Sequence, residues 1–281
     1  MMADNPSLQE LKRRHPEWEP WLAVVQAALT EAADPKWDMV VPACAPARDK
    51  APLLAGAAIR LKQSSVRSLW AQLIHVACRG QTPKLETLGA AARREPDHLT
   101  LFQASLHQDN GQLGKIAEAL GTDCEALQAV ANLLPVPLLQ ACNRHWSGSV
   151  KSDWVDGYCP ICGAWPAFAE VRGIERSRYL RCGRCGAEWR MHCLFCPYCG
   201  TSDHNELLSL VAENNASNVV IDACKRCLGY VKSFTTLQGS PPAKVMLDDL
   251  ASVELDVVAV ERGYKRPQGT GYSLNVNVAA S

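Results

Sequence analysis

The sequence predicts a multidomain α+β chain. An N-terminal all-α domain covers residues 1–150, two tandem zinc-ribbon-like metal modules cover 154–193 and 194–240, and a closing helix with a tail covers 241–281. Three observations predict it. Apolar residues recur at helical spacing through the first half. A small, polar stretch, Ser147-Gly148-Ser149-Val150-Lys151-Ser152-Asp153, then suits a domain boundary. Beyond it, four Cys-x-x-Cys pairs crowd into residues 158–230: Cys159/Cys162, Cys182/Cys185, Cys196/Cys199 and Cys224/Cys227.

In the helical half, Val66, Leu69, Trp70, Leu73, Ile74 and Ala77 form the stripe of a core-facing helix. Thr122 and Glu125 have the spacing of a capping box, with Thr122 as N-cap. Leu127, Val130 and Leu134 follow on one face, and Pro135 and Pro137 interrupt that helix. Prolines at 16, 20, 35, 42, 46, 83 and 96 mark loops, giving about five to seven helices. Cys44, Cys78, Cys124 and Cys142 have no ligand-spaced neighbours and read as small packed hydrophobes. The histidines are scattered, without a His-Glu-x-x-His pattern. Gly111-Gln-Leu-Gly114-Lys115 lacks the spacing of a phosphate loop and reads as a helix-to-helix turn.

Composition narrows the function classes. The formal net charge of zero argues against a chain built to coat nucleic acid or an anionic membrane. Thirteen cysteines, an odd number, stand behind an N-terminus that is polar and carries no apolar signal region. That combination favours a reducing cytoplasm, with metal ligation in place of disulfides.

The cysteine spacing carries the chemistry. Two thiols separated by two residues on a tight turn reach one ion, and a tetrahedral ion needs two such turns. Nineteen residues separate the first and second pairs, and 24 the third and fourth, so four pairs read as two four-thiolate sites. Cys159-Pro-Ile-Cys162-Gly163 and Cys196-Pro-Tyr-Cys199-Gly200 add a turn-setting proline and a glycine able to take positive φ. Cys182-Gly-Arg-Cys185-Gly186 shares the glycine; Cys224-Lys-Arg-Cys227-Leu228-Gly229 has it one residue late. Backbone N–H groups wrapped toward sulfur would moderate the thiolates. Four thiolates suit zinc or iron, and spacing does not separate the two. A closed site of this kind offers no open position for hydrolytic water. Cys193 also lies three residues before Cys196, so Cys193/Cys196 is an alternative third pair; the proline and glycine favour Cys196/Cys199.

Between the pairs, residues 167–172 and 178–182 form a hairpin around Gly173, and 207–212 and 218–223 a second with Asn214 and Asn215 near its turn. Residues 230–236 make a further strand. Trp165, Phe168, Tyr179, Trp189, Phe195, Tyr198, Tyr230 and Phe234 are the expected small core. A last helix opens at Asp248-Asp249, faces inward with Leu250, Val253, Val257 and Val260, and stops at Gly263, before a loose tail. Arg172, Arg176, Arg178, Arg181, Arg184 and Arg190 form a local basic run. Basic residues only narrowly outnumber acidic ones over 150–240, and thiolate-bound ions make the region more negative. The run therefore reads as a strand face with ion pairs.

The series CPICG, CGRCGAEW, CPYCG and CKRC, followed by DDLASVELDVVAVERGY, resembles the FdhE family of formate dehydrogenase accessory proteins over residues 156–264. The resemblance implies two rubredoxin-like modules that hold iron, with zinc the alternative. It implies Cys159, Cys162, Cys182, Cys185, Cys196, Cys199, Cys224 and Cys227 as the ligands. It further implies a cytoplasmic, non-enzymatic helper that binds the catalytic subunit of formate dehydrogenase during maturation. A zinc-ribbon nucleic-acid binder and a rubredoxin-like electron carrier are the alternatives the residues leave open.

Overall fold

The protein is described by a computed structural model over residues 6–44, 49–80, 83–89, 94–211 and 218–281. Pro46, Asn214 and Asn215 lie outside the described residues. Two compact units emerge. One comprises residues 1–44, 56–145 and 274–281, the other 45–55 and 146–273.

The first unit is helical. Its helices include α1 (Pro6–Arg14), α2 (Glu19–Ala32), α3 (Gln63–Cys78), the single turn α4 (Pro83–Glu86), α5 (His98–His107), α6 (Asn110–Leu120), α7 (Cys124–Ala131) and α8 (Val136–Trp146). Helix α3 buries the six residues of its predicted stripe and packs on α2, which buries Leu22, Val25 and Leu29. The capping box is corrected. Asp123, not Thr122, caps α7, accepting from the Ala126 amide at 2.8 Å. Thr122 still belongs to the end of α6, where its amide donates to the Ala117 carbonyl beyond the left-handed Gly121. Glu125 meets Lys84 instead of the backbone. The Gly111–Lys115 segment is also not a turn: it is the start of α6, capped by Asp109, which accepts from the Gln112 amide at 2.9 Å.

The helical unit also carries a two-stranded parallel sheet. Strand β1 (Ala58–Leu61) pairs with β8 (Asn277–Ala280), setting Ile59 opposite Val278 with both side chains buried. The end of the chain, read as a loose tail, is thus an ordered strand.

In the second unit, β2 (Phe168–Arg172), β3 (Ser177–Arg181), β4 (Glu188–Arg190), β5 (Leu207–Leu210), β6 (Val219–Cys224) and β7 (Tyr230–Thr236) form one sheet in the order β4-β3-β2-β7-β6-β5. Each half is an antiparallel three-stranded meander. The two halves join through β2 and β7, which run parallel with Phe168 opposite Lys232. The predicted hairpin around Gly173 is present, with positive φ at Gly173 and Arg176. Continuity of the sheet means that the two cysteine modules share one scaffold.

The closing helix is two helices, α9 (Val245–Leu250) and α10 (Val253–Glu261). Ser252 breaks them: its hydroxyl donates back to the Asp248 and Asp249 carbonyls at 3.0 and 3.1 Å. Buried Lys232 also donates to the Asp249 carbonyl at 2.8 Å, holding it off the helical ladder. The break rotates the expected face outward. Val257 and Val260 are 53% and 62% exposed, while Ala259 is buried against Ile221 and Tyr230. Gly263, at φ +85°, ends α10 where the sequence places the stop.

Candidate metal centres

Four knuckles repeat one backbone pattern. The amide of each leading cysteine donates five residues ahead: Cys159 to Ala164, Cys182 to Ala187, Cys196 to Thr201 and Cys224 to Gly229, at 2.8–2.9 Å. In the first three, a glycine amide closes the turn onto the leading cysteine's carbonyl at 2.9–3.0 Å. Those glycines, Gly163, Gly186 and Gly200, have φ of +69°, +75° and +74°. In the fourth knuckle the equivalent position is Leu228, at φ +58°. The displaced glycine is explained one residue on, because a Cβ on Gly229 would lie 2.5 Å from the Tyr198 ring. Close approach of a neighbouring knuckle, not turn geometry, demands glycine there.

The sheet brings the knuckles together in pairs. Cys182 and Cys185 lie between β3 and β4, and face Cys159 and Cys162 in the segment before β2. Cys224 ends β6, Cys227 precedes β7, and they face Cys196 and Cys199 in the segment before β5. In each group the four sulfurs lie within 4.8 Å of one another, a grouping able to hold a metal ion. The Sγ–Sγ separations are 3.5 Å for Cys159–Cys185 and Cys162–Cys182, and 3.6 and 3.7 Å for Cys196–Cys227 and Cys199–Cys224. A tetrahedral ion with metal–sulfur bonds of ~2.3 Å sets sulfurs ~3.8 Å apart, so both groups fit one. In the first group all four cysteines are fully buried. The second is more open: Cys196 and Cys224 are buried, Cys227 is half-buried and Cys199 is exposed.

Residues 158–192 match the family model described as FdhE, central domain, and residues 191–272 the one described as FdhE, C-terminal domain. The metal-bearing half is FdhE-like. A Protein FdhE homolog of Pseudomonas aeruginosa is 33% identical over 153 residues, 48% of this chain and 49% of the relative. One of Aquifex aeolicus is 32% identical over 114 residues, 40% of each chain. The chain thus spans about half the length, or less, of these curated relatives. The crystal structure of the FdhE protein from Pseudomonas aeruginosa has the same fold, with a TM-score of 0.59 at 24% identity, covering 96% of this chain and 93% of that one.

Within the FdhE-like region, the thiols differ in how tightly they hold their protons. Burial pushes the Cys159 and Cys185 thiols well up, while hydrogen bonds from Cys159, Cys162 and Cys185 hold Cys182 well below the usual thiol range. Burial also raises Cys196, and raises Cys227 to about 11. An ion bound by four thiolates displaces these protons, which links occupancy to pH and to folding. The Ile161 amide points at Cys159 Sγ from 3.4 Å, a backbone contact suited to a thiolate.

The arginine run is largely internal. Arg172 and Arg181 donate to Glu170, each with a contact at 2.9 Å, and Glu170 and Arg181 are both 1% exposed. Arg178, also buried, donates to the carbonyls of His192 and Phe195 and reaches Asp222 at 3.4 Å. A basic stripe for phosphates loses three members to these pairs. Sequence reasoning did not single out Lys232, which is fully buried between Asp249 and Asp256 at 2.8 Å each, with Arg266 closing the network on both carboxylates. A lone lysine in a β-branched strand was the available signal. Cys193 is exposed and outside both groups; its Sγ lies 3.7 Å from the Arg176 carbonyl. Among the described residues, no helix is long and apolar enough to cross a membrane.

Proposed function

We propose that the chain is a non-enzymatic accessory factor in formate dehydrogenase maturation, acting in the cytoplasm by binding the enzyme's catalytic subunit through the metal-stabilised FdhE-like region. Cys159, Cys162, Cys182 and Cys185 hold one ion, and Cys196, Cys199, Cys224 and Cys227 the other; the resemblance favours iron, with zinc the alternative. The observation that carries this reading is the pairing of two four-sulfur groups on one sheet, inside the stretch matched to FdhE. Each ion supplies a cross-link between two knuckles that are distant in sequence, stiffening a region whose apolar core is thin. Four protein thiolates leave no coordination position for water, so the sites serve architecture and recognition in place of hydrolysis.

The test is capture. Tagged chain, expressed and purified without oxygen, is expected to retain a formate dehydrogenase catalytic subunit, and cells lacking the chain to lose formate oxidation. Full formate oxidation in the deletion strain, with no retained subunit, would remove the reading.

A further inference from the structure

The two four-sulfur groups differ in the access they give to solvent, and that difference has a chemical consequence. Cys159, Cys162, Cys182 and Cys185 are each 0% exposed, so an incoming ligand meets no sulfur of that group without an opening of the fold. The other group has Cys199 at the surface and Cys227 half-buried. It also forms a wall of a groove of about 140 Å³, lined by Cys196 and Cys224 together with Cys193, Leu194, Phe195 and Leu208. The groove lining thus includes an exposed thiol outside the group, Cys193, and two buried members of it, Cys196 and Cys224, while the group's exposed member, Cys199, lies outside that lining. Its remaining lining includes the buried guanidinium of Arg178, whose Nε has no hydrogen-bond partner among the described residues. That nitrogen is itself buried, and the Asp222 carboxylate, which Arg178 meets at 3.4 Å, also lines the groove.

We propose that the second group, Cys196, Cys199, Cys224 and Cys227, is the exchangeable metal site, loaded and emptied by small chelating or thiol ligands from the side of its exposed Cys199, and that the first group is a sealed structural site. Ligand exchange at the second site is stepwise: the incoming ligand takes one coordination position as one cysteine sulfur leaves, and the freed thiolates take up protons from solvent. No electron transfer is involved. Cys193 is exposed and stands outside both groups. This inference rests on the reading that both groups hold ions.

The experiment uses the full chain loaded with zinc in the absence of oxygen and then treated with iodoacetamide, so that only thiols that hold no ion are blocked. An excess of the anionic chromogenic chelator 4-(2-pyridylazo)resorcinol is added, and release is followed by absorbance. One equivalent is expected to leave at least about tenfold faster than the other. A pulse of isotopically distinct iodoacetamide after the fast phase, read by peptide mass mapping, should label Cys196, Cys199, Cys224 and Cys227 and spare Cys159, Cys162, Cys182 and Cys185. Cys199→Ser, which takes one thiolate from the second group, should either speed the fast phase or keep that site from loading, and should leave the slow phase at its original rate. Equal release rates, or a fast-phase label on the first group, would overturn the assignment. A chain that takes up fewer than two ions at the outset would overturn the metal reading beneath it.

Discussion

The equivalent glycines of two knuckles make a controlled comparison. Gly186 and Gly200 have φ of +75° and +74°, so alanine at either site meets the same left-handed backbone. That conformation costs an L-residue about 1–2 kcal/mol, offset by about 0.4–1 kcal/mol from reduced freedom of the unfolded chain. Beyond this the sites part. A Cβ at Gly200 has its nearest neighbour, Phe195 Cζ, at 3.8 Å, an ordinary contact. One at Gly186 would lie 2.5 Å from Pro242 Cβ and 2.7 Å from its Cα, and backbone cannot step aside as a flexible side chain can. Overpacking of that kind adds about 1–3 kcal/mol. Gly200→Ala should therefore cost about 1 kcal/mol and Gly186→Ala about 2–4 kcal/mol. Urea transitions of the cobalt-loaded chain, followed by thiolate-to-metal absorption and by circular dichroism, measure both. Equal losses would refute the packing of the second knuckle on Pro242.

Three further outcomes follow from the same geometry. Leu228→Val should cost about 1–2 kcal/mol, because a β-branched residue tolerates φ +58° poorly, whereas Leu228→Gly should be close to neutral; denaturant midpoints decide, and equal effects would count against the turn. Asp249→Asn should cost about 3 kcal/mol by leaving Lys232 and Arg266 short of a carboxylate. Burial opposes its charge, yet Arg266 and Lys232 hold the Asp249 pKa below its ordinary 3.8; that contribution is complete above the unfolded value and is lost as pH falls through the folded one, so the variant should show a flatter acid limb than the parent in pH-dependent unfolding. Val257→Lys and Val260→Lys, at exposed positions of α10, should shift stability by no more than about 0.5 kcal/mol; losses of several kcal/mol would restore the inward face that the sequence pattern suggests.

Local rules read well from this sequence, and long-range ones did not. The Val66 to Ala77 stripe, the Gly173 hairpin and the Gly263 stop depend on residues a few positions apart, and the structure bears them out. Cysteine pairs at ligand spacing are local as well, and the sheet assembles them into two groups of four. The cap at Asp123 was missed because Thr122 and Asp123 are both good caps, and the choice turned on Thr122 already closing α6. The break at Ser252 was missed because Lys232, twenty residues upstream, draws carbonyls out of the ladder. The parallel pairing of β2 with β7, and of β1 with β8, joins segments with no local signal that names their partner.

Metal content of the chain purified without oxygen, measured together with its visible spectrum, decides whether the eight paired cysteines hold ions. Two ions per chain are expected, with ferric-thiolate colour where iron is bound and none where zinc is, and removal of both ions should unfold the FdhE-like region. An ion-free chain whose circular dichroism and urea midpoint match those of the purified protein would contradict that expectation.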